Sequence, residues 1–251
     1  MQIIIDGIKC EANPGEYILD IARRNGIEIP TLCHSDALPG QGVCRLCIVE
    51  VIDEGRSRIV TSCIYPVTKE IEVKTRTEKI IKMRKNIIML LAARTPQNKL
   101  INRLMEEYDI PPITRFKVDS DEECILCGLC VRACDEIGIS AISTVDRGIT
   151  KKISTSFDEP SKVCIGCAAC AYVCPTGAIK VSESGNQRTI WGKSFELLRC
   201  SSCGEYFITR EHYEYVRKRL DNSFDEILCD KCKKKTAAMK LTKTVPEWRG
   251  N

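Results

Sequence analysis

The sequence lacks the usual marks of a self-sufficient enzyme. Its 251 residues contain no Ser/His/Asp set, no phosphate-cradling P-loop and no Gly-x-Gly-x-x-Gly fingerprint, so triad hydrolysis and nucleotide binding through those loops are excluded. A membrane span needs roughly 18 or more apolar residues in a row. The richest stretch, Ile80 to Ala93, is interrupted by Lys82, Arg84 and Lys85, so no span is expected. The opening MQIIIDGIKC has neither the basic, apolar nor small-residue segment of a leader peptide, which points to a reduced, cytoplasmic setting. Histidine is scarce, with 2 in the chain, and residues 64 to 123 contain neither His nor Cys.

Against these absences stand 17 cysteines. That number is too large for core thiols alone, and the expected reducing setting argues against a disulfide framework. Sixteen of the 17 fall into four sets of four, the ligand count of tetrahedral sulfur sites. The formal charge of +4 counts every thiol as neutral. Each site of four thiolates around a formal 2+ metal carries about −2, so four would bring the holoprotein to about −4. The basic pI is therefore no argument for nucleic acid, and the lysine-rich end from Lys233 reads as a solvated or partner-docking tail.

Residues 124 to 181 hold an internal repeat. Cys124, Cys127, Cys130 and Cys134 are echoed by Cys164, Cys167, Cys170 and Cys174, each set spaced C-x2-C-x2-C-x3-C. Three cysteines two apart wrap one [4Fe-4S] cubane, and the fourth reaches the other cluster. The expected ligands are Cys124, Cys127, Cys130 and Cys174 for one cluster, and Cys134, Cys164, Cys167 and Cys170 for the other. The second copy continues Cys174-Pro175, whereas the first has Cys134-Asp135, which weakens loop termination without removing a ligand. Buried thiols or zinc are the alternatives. At the N-terminal end, Cys33, Cys44, Cys47 and Cys63 form a long loop plus a distant thiol, which suits two thiolates per iron in a [2Fe-2S] cluster, with zinc as the rival. Cys200, Cys203, Cys229 and Cys232 make two C-x2-C knuckles. Structural zinc is the expectation there, although their separation leaves rubredoxin-like iron and a fourth cluster open. Cys10 is left over as a core thiol, His34 reads as a surface residue beside Cys33, and His212 as solvated.

The surrounding patterns predict an α+β chain. Ile3 to Cys10 reads as a hairpin turning at Asp6-Gly7, and a short helix carries Tyr17, Ile18, Ile21 and Ala22 on one face. Strands follow near 48–52, 58–61 and 71–73. Helical spacing runs from Glu78 to Tyr108 with a break at Thr95-Pro96, and Pro111-Pro112 marks a boundary. These breaks are expected to let the N-terminal module swing. Residues 141 to 157 read as an inserted hairpin, Ser184-Gly185-Asn186 as a turn, and 208 to 220 as a helix between the last two cysteine pairs. The resulting boundaries are a [2Fe-2S] domain at 1–75, a helical linker at 76–118, a two-[4Fe-4S] domain at 119–190, a four-cysteine zinc module at 191–235 and a basic tail at 236–251.

Ile29-Pro30-Thr31-Leu32-Cys33, the run Gly42 to Val51 and Thr61-Ser62-Cys63 resemble the N-terminal module of the large iron–sulfur subunit of respiratory complex I. The same module occurs in NAD-linked and iron-only hydrogenases, NAD-dependent formate dehydrogenases and bifurcating transhydrogenases, and the resemblance continues to about residue 181. It implies a β-grasp [2Fe-2S] ferredoxin-like domain followed by a bacterial ferredoxin-like domain with two cubanes. It also implies a non-catalytic electron-transfer subunit, without flavin or nicotinamide of its own, working between an NAD(P)H-oxidising flavoprotein subunit and a second redox subunit. A free-standing polyferredoxin is the alternative. The family often carries a further cluster bound by one histidine and three cysteines between these modules. Residues 64 to 123 offer none of those ligands, so that cluster is expected to be absent.

Overall fold

The computed structural model describes residues 1–114, 121–220 and 226–244. The expected boundary at 118–119 and the end of the basic tail lie outside the described residues. Residues 1–138, 142–154 and 169–179 form one compact unit, and 139–141, 155–168 and 180–251 the other.

In the first unit, β1 (Gln2–Ile5) and β2 (Ile8–Glu11) make the expected hairpin. Asp6 and Gly7 both adopt positive φ, 47° and 83°, as a tight hairpin turn requires. Helix α1 (Ile18–Arg24) buries Ile18, Leu19, Ile21 and Ala22 and stops at Asn25. Strands β3 (Ile48–Asp53), β4 (Arg56–Thr61) and β5 (Glu72–Lys74) complete a five-stranded sheet of order β2-β1-β5-β3-β4. The β1–β5 pairing is parallel and the others are antiparallel. Ile3, Ile5, Val49, Val51 and Val73 alternate inward onto α1, so one sheet face and one helix face close a small core. Cys10 lies inside this core, as a core thiol should.

Thr77 caps α2 (Glu78–Arg94), its hydroxyl accepting from the Ile80 amide. Along this helix Ile80, Arg84, Ile88 and Ala92, four apart, form the buried stripe. Proline interrupts the run, and Asn98 restarts it by capping α3 (Lys99–Glu107). Helix α4 (Leu129–Ile137) is framed by Gly128 and Gly138 in left-handed conformations. Strands β6 (Ser143–Val145) and β7 (Lys152–Ser154) are the inserted hairpin, and α5 (Ala169–Tyr172) is a single turn.

The expected swing at the proline breaks is not what the side chains support. Arg94, before the first break, donates through Nε to the Cys124 carbonyl at 2.8 Å. Asn98 donates to the Thr176 carbonyl at 3.0 Å, and Arg132 to the Cys33 carbonyl at 2.6 Å. A second hydrophobic core contains Leu32, Cys33 and Leu46 together with Ile88, Ile101, Ile125 and Cys127. Buried apolar contact and ionic hydrogen bonds thus span both breaks, which the local chemistry of proline could not reveal.

In the second unit, β8 (Val181–Ser184), β9 (Gln187–Ile190), β10 (Lys193–Arg199) and β11 (Tyr206–Thr209) form a four-stranded antiparallel sheet of order β11-β10-β9-β8. The expected boundary at 190–191 falls in the β9–β10 turn, where Trp191 and Gly192 take positive φ. Helix α6 (Arg210–Arg219) is capped by the Thr209 hydroxyl. The stretch expected as the start of a tail is helical instead, since α7 runs Asp230–Thr244.

Candidate metal centres

The first cysteine set is gathered by β3, β4 and the loop before them. Cys47 opens onto β3, Cys63 follows β4 directly, and their sulfurs lie 3.3 Å apart. The Cys44 amide donates to the Cys33 sulfur at 3.4 Å. All but Cys44 are buried, and Cys44 is half-buried. The Cys44 thiol and the Cys44 and Val43 amides direct hydrogen bonds at the Cys33 sulfur, holding it down at about 5. Cys63 does the same for Cys47, which is held at about 6. Two glycines keep room for this packing. A Cβ on Gly40 would lie 2.8 Å from the Cys63 carbonyl oxygen and 2.9 Å from Ile64 Cγ2. Gly42 has φ +64°, and a Cβ there would meet Ile64 Cδ1 at 2.8 Å. Four converging sulfurs, backbone amides aimed at them and a loop with no space for side chains fit a [2Fe-2S] cluster.

Next to Cys33, the His34 side chain is only 9% exposed and not a surface group as expected. Its Nε2 pairs with Asp36 at 3.1 Å, while buried Nδ1 has no hydrogen-bond partner among the described residues. Half-burial likewise lowers the pKa of His212, which is not simply solvated.

Cys124, Cys127, Cys130 and Cys174 all belong to the first unit. Burial pushes Cys127 up to about 11 and Cys130 up to about 12, and burial also raises Cys124. Both Cys124 and Cys127 feel the charge of Cys174 despite its distance in sequence. Burial acts upward on Cys174 too, but the Thr176 hydroxyl and the amides of Ala178, Thr176 and Ile179 outweigh it and lower its pKa. The turn after Cys174 is thus a nest of donors for a thiolate. Thiols raised by burial are destabilised as bare thiolates and need a cation between them, which iron would supply.

Of the remaining cubane set, Cys134 and Cys170 belong to the first unit and Cys164 and Cys167 to the second. The Cys164–Cys167 loop is pinned by β9, β10 and β11. Lys193 Nζ donates to the Cys164 carbonyl at 2.8 Å, Thr209 to that of Ile165 at 2.5 Å, and Arg188 to that of Gly166 at 3.0 Å. Gly166, at φ +67°, lies so close to the Phe195 ring that a Cβ would approach it to 2.7 Å. Sequence reasoning missed these clamps. Their one signal is the alternation at the centre of β10, where Phe195 and Leu197 are buried and Ser194 and Glu196 exposed.

Cys200, Cys203, Cys229 and Cys232 bring their sulfurs within 4.8 Å of one another. Cys203 and Cys229 are 3.7 Å apart, against about 3.8 Å for two sulfurs on one tetrahedral metal with bonds of about 2.3 Å. Gly204, at φ +74°, turns the first knuckle, and its amide bonds back to the Cys200 carbonyl at 2.9 Å. The Cys229 amide donates to the Cys200 sulfur at 3.3 Å and holds that thiol down at about 6. The donor set therefore fits a single tetrahedral metal ion. No helix among the described residues is long and apolar enough to cross a membrane.

Three stretches of the chain match known domain families. Residues 1–78 match a 2Fe-2S iron-sulfur cluster binding domain, and residues 117–181 and 163–205 match two descriptions of a 4Fe-4S dicluster domain. The chain is 31% identical over 214 residues to the NADP-reducing hydrogenase subunit HndD of Solidesulfovibrio fructosivorans, covering 73% of this chain and 36% of that protein. It is 28% identical over 250 residues to an NADH-quinone oxidoreductase subunit of Rhizobium meliloti, covering 88% of this chain and 29% of that one. The NADPH-Fe(3+) oxidoreductase subunit alpha of Geobacter sulfurreducens is 33% identical over 208 residues, 71% of this chain and 24% of the relative. The chain thus spans between about a quarter and about a third of the length of these relatives. Among solved structures, a chain of an NAD+-reducing [NiFe]-hydrogenase in the H2-reduced state superposes with a TM-score of 0.60 at 25% identity, covering 70% of this chain and 85% of that one.

Proposed function

Since the chain belongs to the family of iron–sulfur electron-transfer subunits found in NAD(P)-linked hydrogenases and complex I-like oxidoreductases, we propose that it relays single electrons between an NAD(P)H-oxidising flavoprotein subunit and a second redox subunit. The observation that carries this reading is the second hydrophobic core, in which Cys33 of the [2Fe-2S] loop and Cys127 of the cubane loop are buried together, with Cys44 packed against it. A relay needs its carriers close, dry and fixed, and one apolar core shared by two cysteine sets provides that.

In this reading Cys33, Cys44, Cys47 and Cys63 hold the [2Fe-2S] cluster in a β-grasp domain. Cys124, Cys127, Cys130 and Cys174 hold one [4Fe-4S] cluster, Cys134, Cys164, Cys167 and Cys170 the second, and Cys200, Cys203, Cys229 and Cys232 a zinc ion. When bound, the clusters accept and release one electron at a time with little movement of their ligands. The protein supplies fixed donors. Arg94 holds the Cys124 carbonyl, Lys193 that of Cys164 and Arg132 that of Cys33, so each loop is anchored by a cation. Leu32, Leu46 and Ile88 exclude water between the first two sites. The Cys33–Cys47 loop, whose Val43 is 47% exposed, is the wall proposed to face the flavoprotein.

The test is isolation of the native assembly with metal analysis. About ten irons and one zinc per copy of this chain, co-eluting with a flavin-bearing subunit, are expected. A chain that isolates alone and free of flavin would sink the relay reading in favour of a diffusible carrier. About fourteen irons without zinc would replace the zinc site with a fourth cluster.

A further inference from the structure

Arg84 is the largest of the fully buried side chains and sits in the middle of the apolar stripe of α2. Its Nε donates to the Leu46 carbonyl at 3.0 Å and its second terminal nitrogen, Nη2, to the Ile48 carbonyl at 2.7 Å. These two residues flank Cys47. No ion pair joins Arg84 to a carboxylate among the described residues; the titratable groups that face it are Tyr108, Arg76 and Cys47. A buried ion without a counter-charge costs several kcal/mol, and two carbonyl dipoles offset only part of that. Leu or Met would fill the stripe without the cost.

We propose that Arg84 is the built-in counter-ion of the [2Fe-2S] site, a positioning residue that orients the Leu46–Ile48 segment and raises the reduction potential of the cluster. The proposal rests on the reading that Cys33, Cys44, Cys47 and Cys63 hold that cluster. Four thiolates around two ferric ions and two sulfides carry a formal charge of about −2, and uptake of one electron makes it about −3. A fixed cation beside Cys47 favours the more negative, reduced form. Guanidinium stays protonated across the accessible pH range, so this bias does not switch off. Burial also shields it from salt.

The experiment is a potentiometric titration of the full-length, cluster-loaded chain, followed by the low-temperature paramagnetic signal of the reduced [2Fe-2S] cluster. At the wild-type midpoint potential, Arg84→Gln should lower the ratio of reduced to oxidised cluster about tenfold, a shift of about 59 mV for one electron. Arg84→Lys keeps the charge and should stay within about threefold of wild type at neutral pH. Tyr108 and Arg76 are unchanged in both proteins. An unmoved ratio in Arg84→Gln would overturn the proposal, as would a fall in Arg84→Lys as large as that in Arg84→Gln; if the Gln variant does not assemble, Arg84→Met supplies the neutral comparison, and a ratio equal to wild type there would overturn it likewise. Absence of any [2Fe-2S] signal in the wild-type chain would instead overturn the ligand reading beneath it.

Discussion

Arg132, on α4 between Cys130 and Cys134, reaches back to the carbonyl of Cys33 at 2.6 Å and also donates to that of Pro39. The guanidinium therefore ties the Cys33–Cys47 loop to the helix that carries Cys130 and Cys134. Charge-assisted hydrogen bonds of this kind contribute about 1.5–3 kcal/mol when buried, and these are partly exposed. Arg132→Ala should cost about 2 kcal/mol in denaturant unfolding followed by bleaching of the [2Fe-2S] absorbance. Equal midpoints for variant and wild type would show that the tie is incidental.

Gly40 and Gly42 should respond differently to alanine. At Gly40 the new methyl meets the backbone carbonyl of Cys63, which cannot move without moving the Cys63 sulfur. At Gly42 it meets the flexible Ile64 side chain, and the cost is that of a left-handed alanine, about 1–2 kcal/mol. Gly40→Ala is expected to lose most of the [2Fe-2S] signal while sparing both cubane signals. Gly42→Ala should keep the signal at reduced stability. Iron analysis with paramagnetic spectra distinguishes the two, and full [2Fe-2S] occupancy in Gly40→Ala would contradict the close approach.

Much of this architecture was legible in local chemistry. The Asp6-Gly7 hairpin, the α2–α3 break at Thr95-Pro96 and the inserted β6–β7 hairpin all follow from turn residues and apolar period. The four knuckle cysteines were legible from spacing, and their sulfurs do converge. What sequence could not show depends on long-range partners. Phe195 reads as one apolar residue in a mixed segment, and its role against Gly166 exists only once β10 pairs with β9. Arg84 reads as a charge interrupting a helix face, and only the tertiary structure supplies the Leu46 and Ile48 carbonyls that make it a core residue.

Proton release should report on the Cys200 site. With its pKa held near 6 by the Cys229 amide, Cys200 is already a thiolate in the folded, metal-free module at pH 7. Zinc binding at that pH should then release about three protons, not four, measured calorimetrically in buffers of different ionisation enthalpy. Below pH 6 the count should rise towards about four. The sign for stability follows from the depressed value. The contribution of Cys200 is complete above the unfolded thiol pKa of about 8.5 and disappears as pH falls through about 6. Release of about four protons at pH 7 would mean that Cys200 is an ordinary thiol.

Asn98 has two separable roles. Its Oδ1 accepts from the Leu100 and Ile101 amides at 3.1 and 3.4 Å, capping α3, while Nδ2 donates to the Thr176 carbonyl at 3.0 Å. Thr176 in turn directs its hydroxyl and amide at the Cys174 sulfur, so Asn98 steadies Cys174, the proposed cubane ligand, through one intermediate residue. Asn98→Ala should lose the cap, about 1 kcal/mol, and the hydrogen bond to the part-buried Thr176 carbonyl, about 0.5–1 kcal/mol more. Asn98→Ser restores a capping oxygen but has no amide to reach Thr176. Both variants should therefore lose the cubane bound by Cys174 faster in air than wild type, followed by decay of its visible absorbance, although only the alanine variant loses the helix cap. If serine restores the cluster lifetime as well as the helix, the contact with Thr176 contributes nothing to holding the cubane.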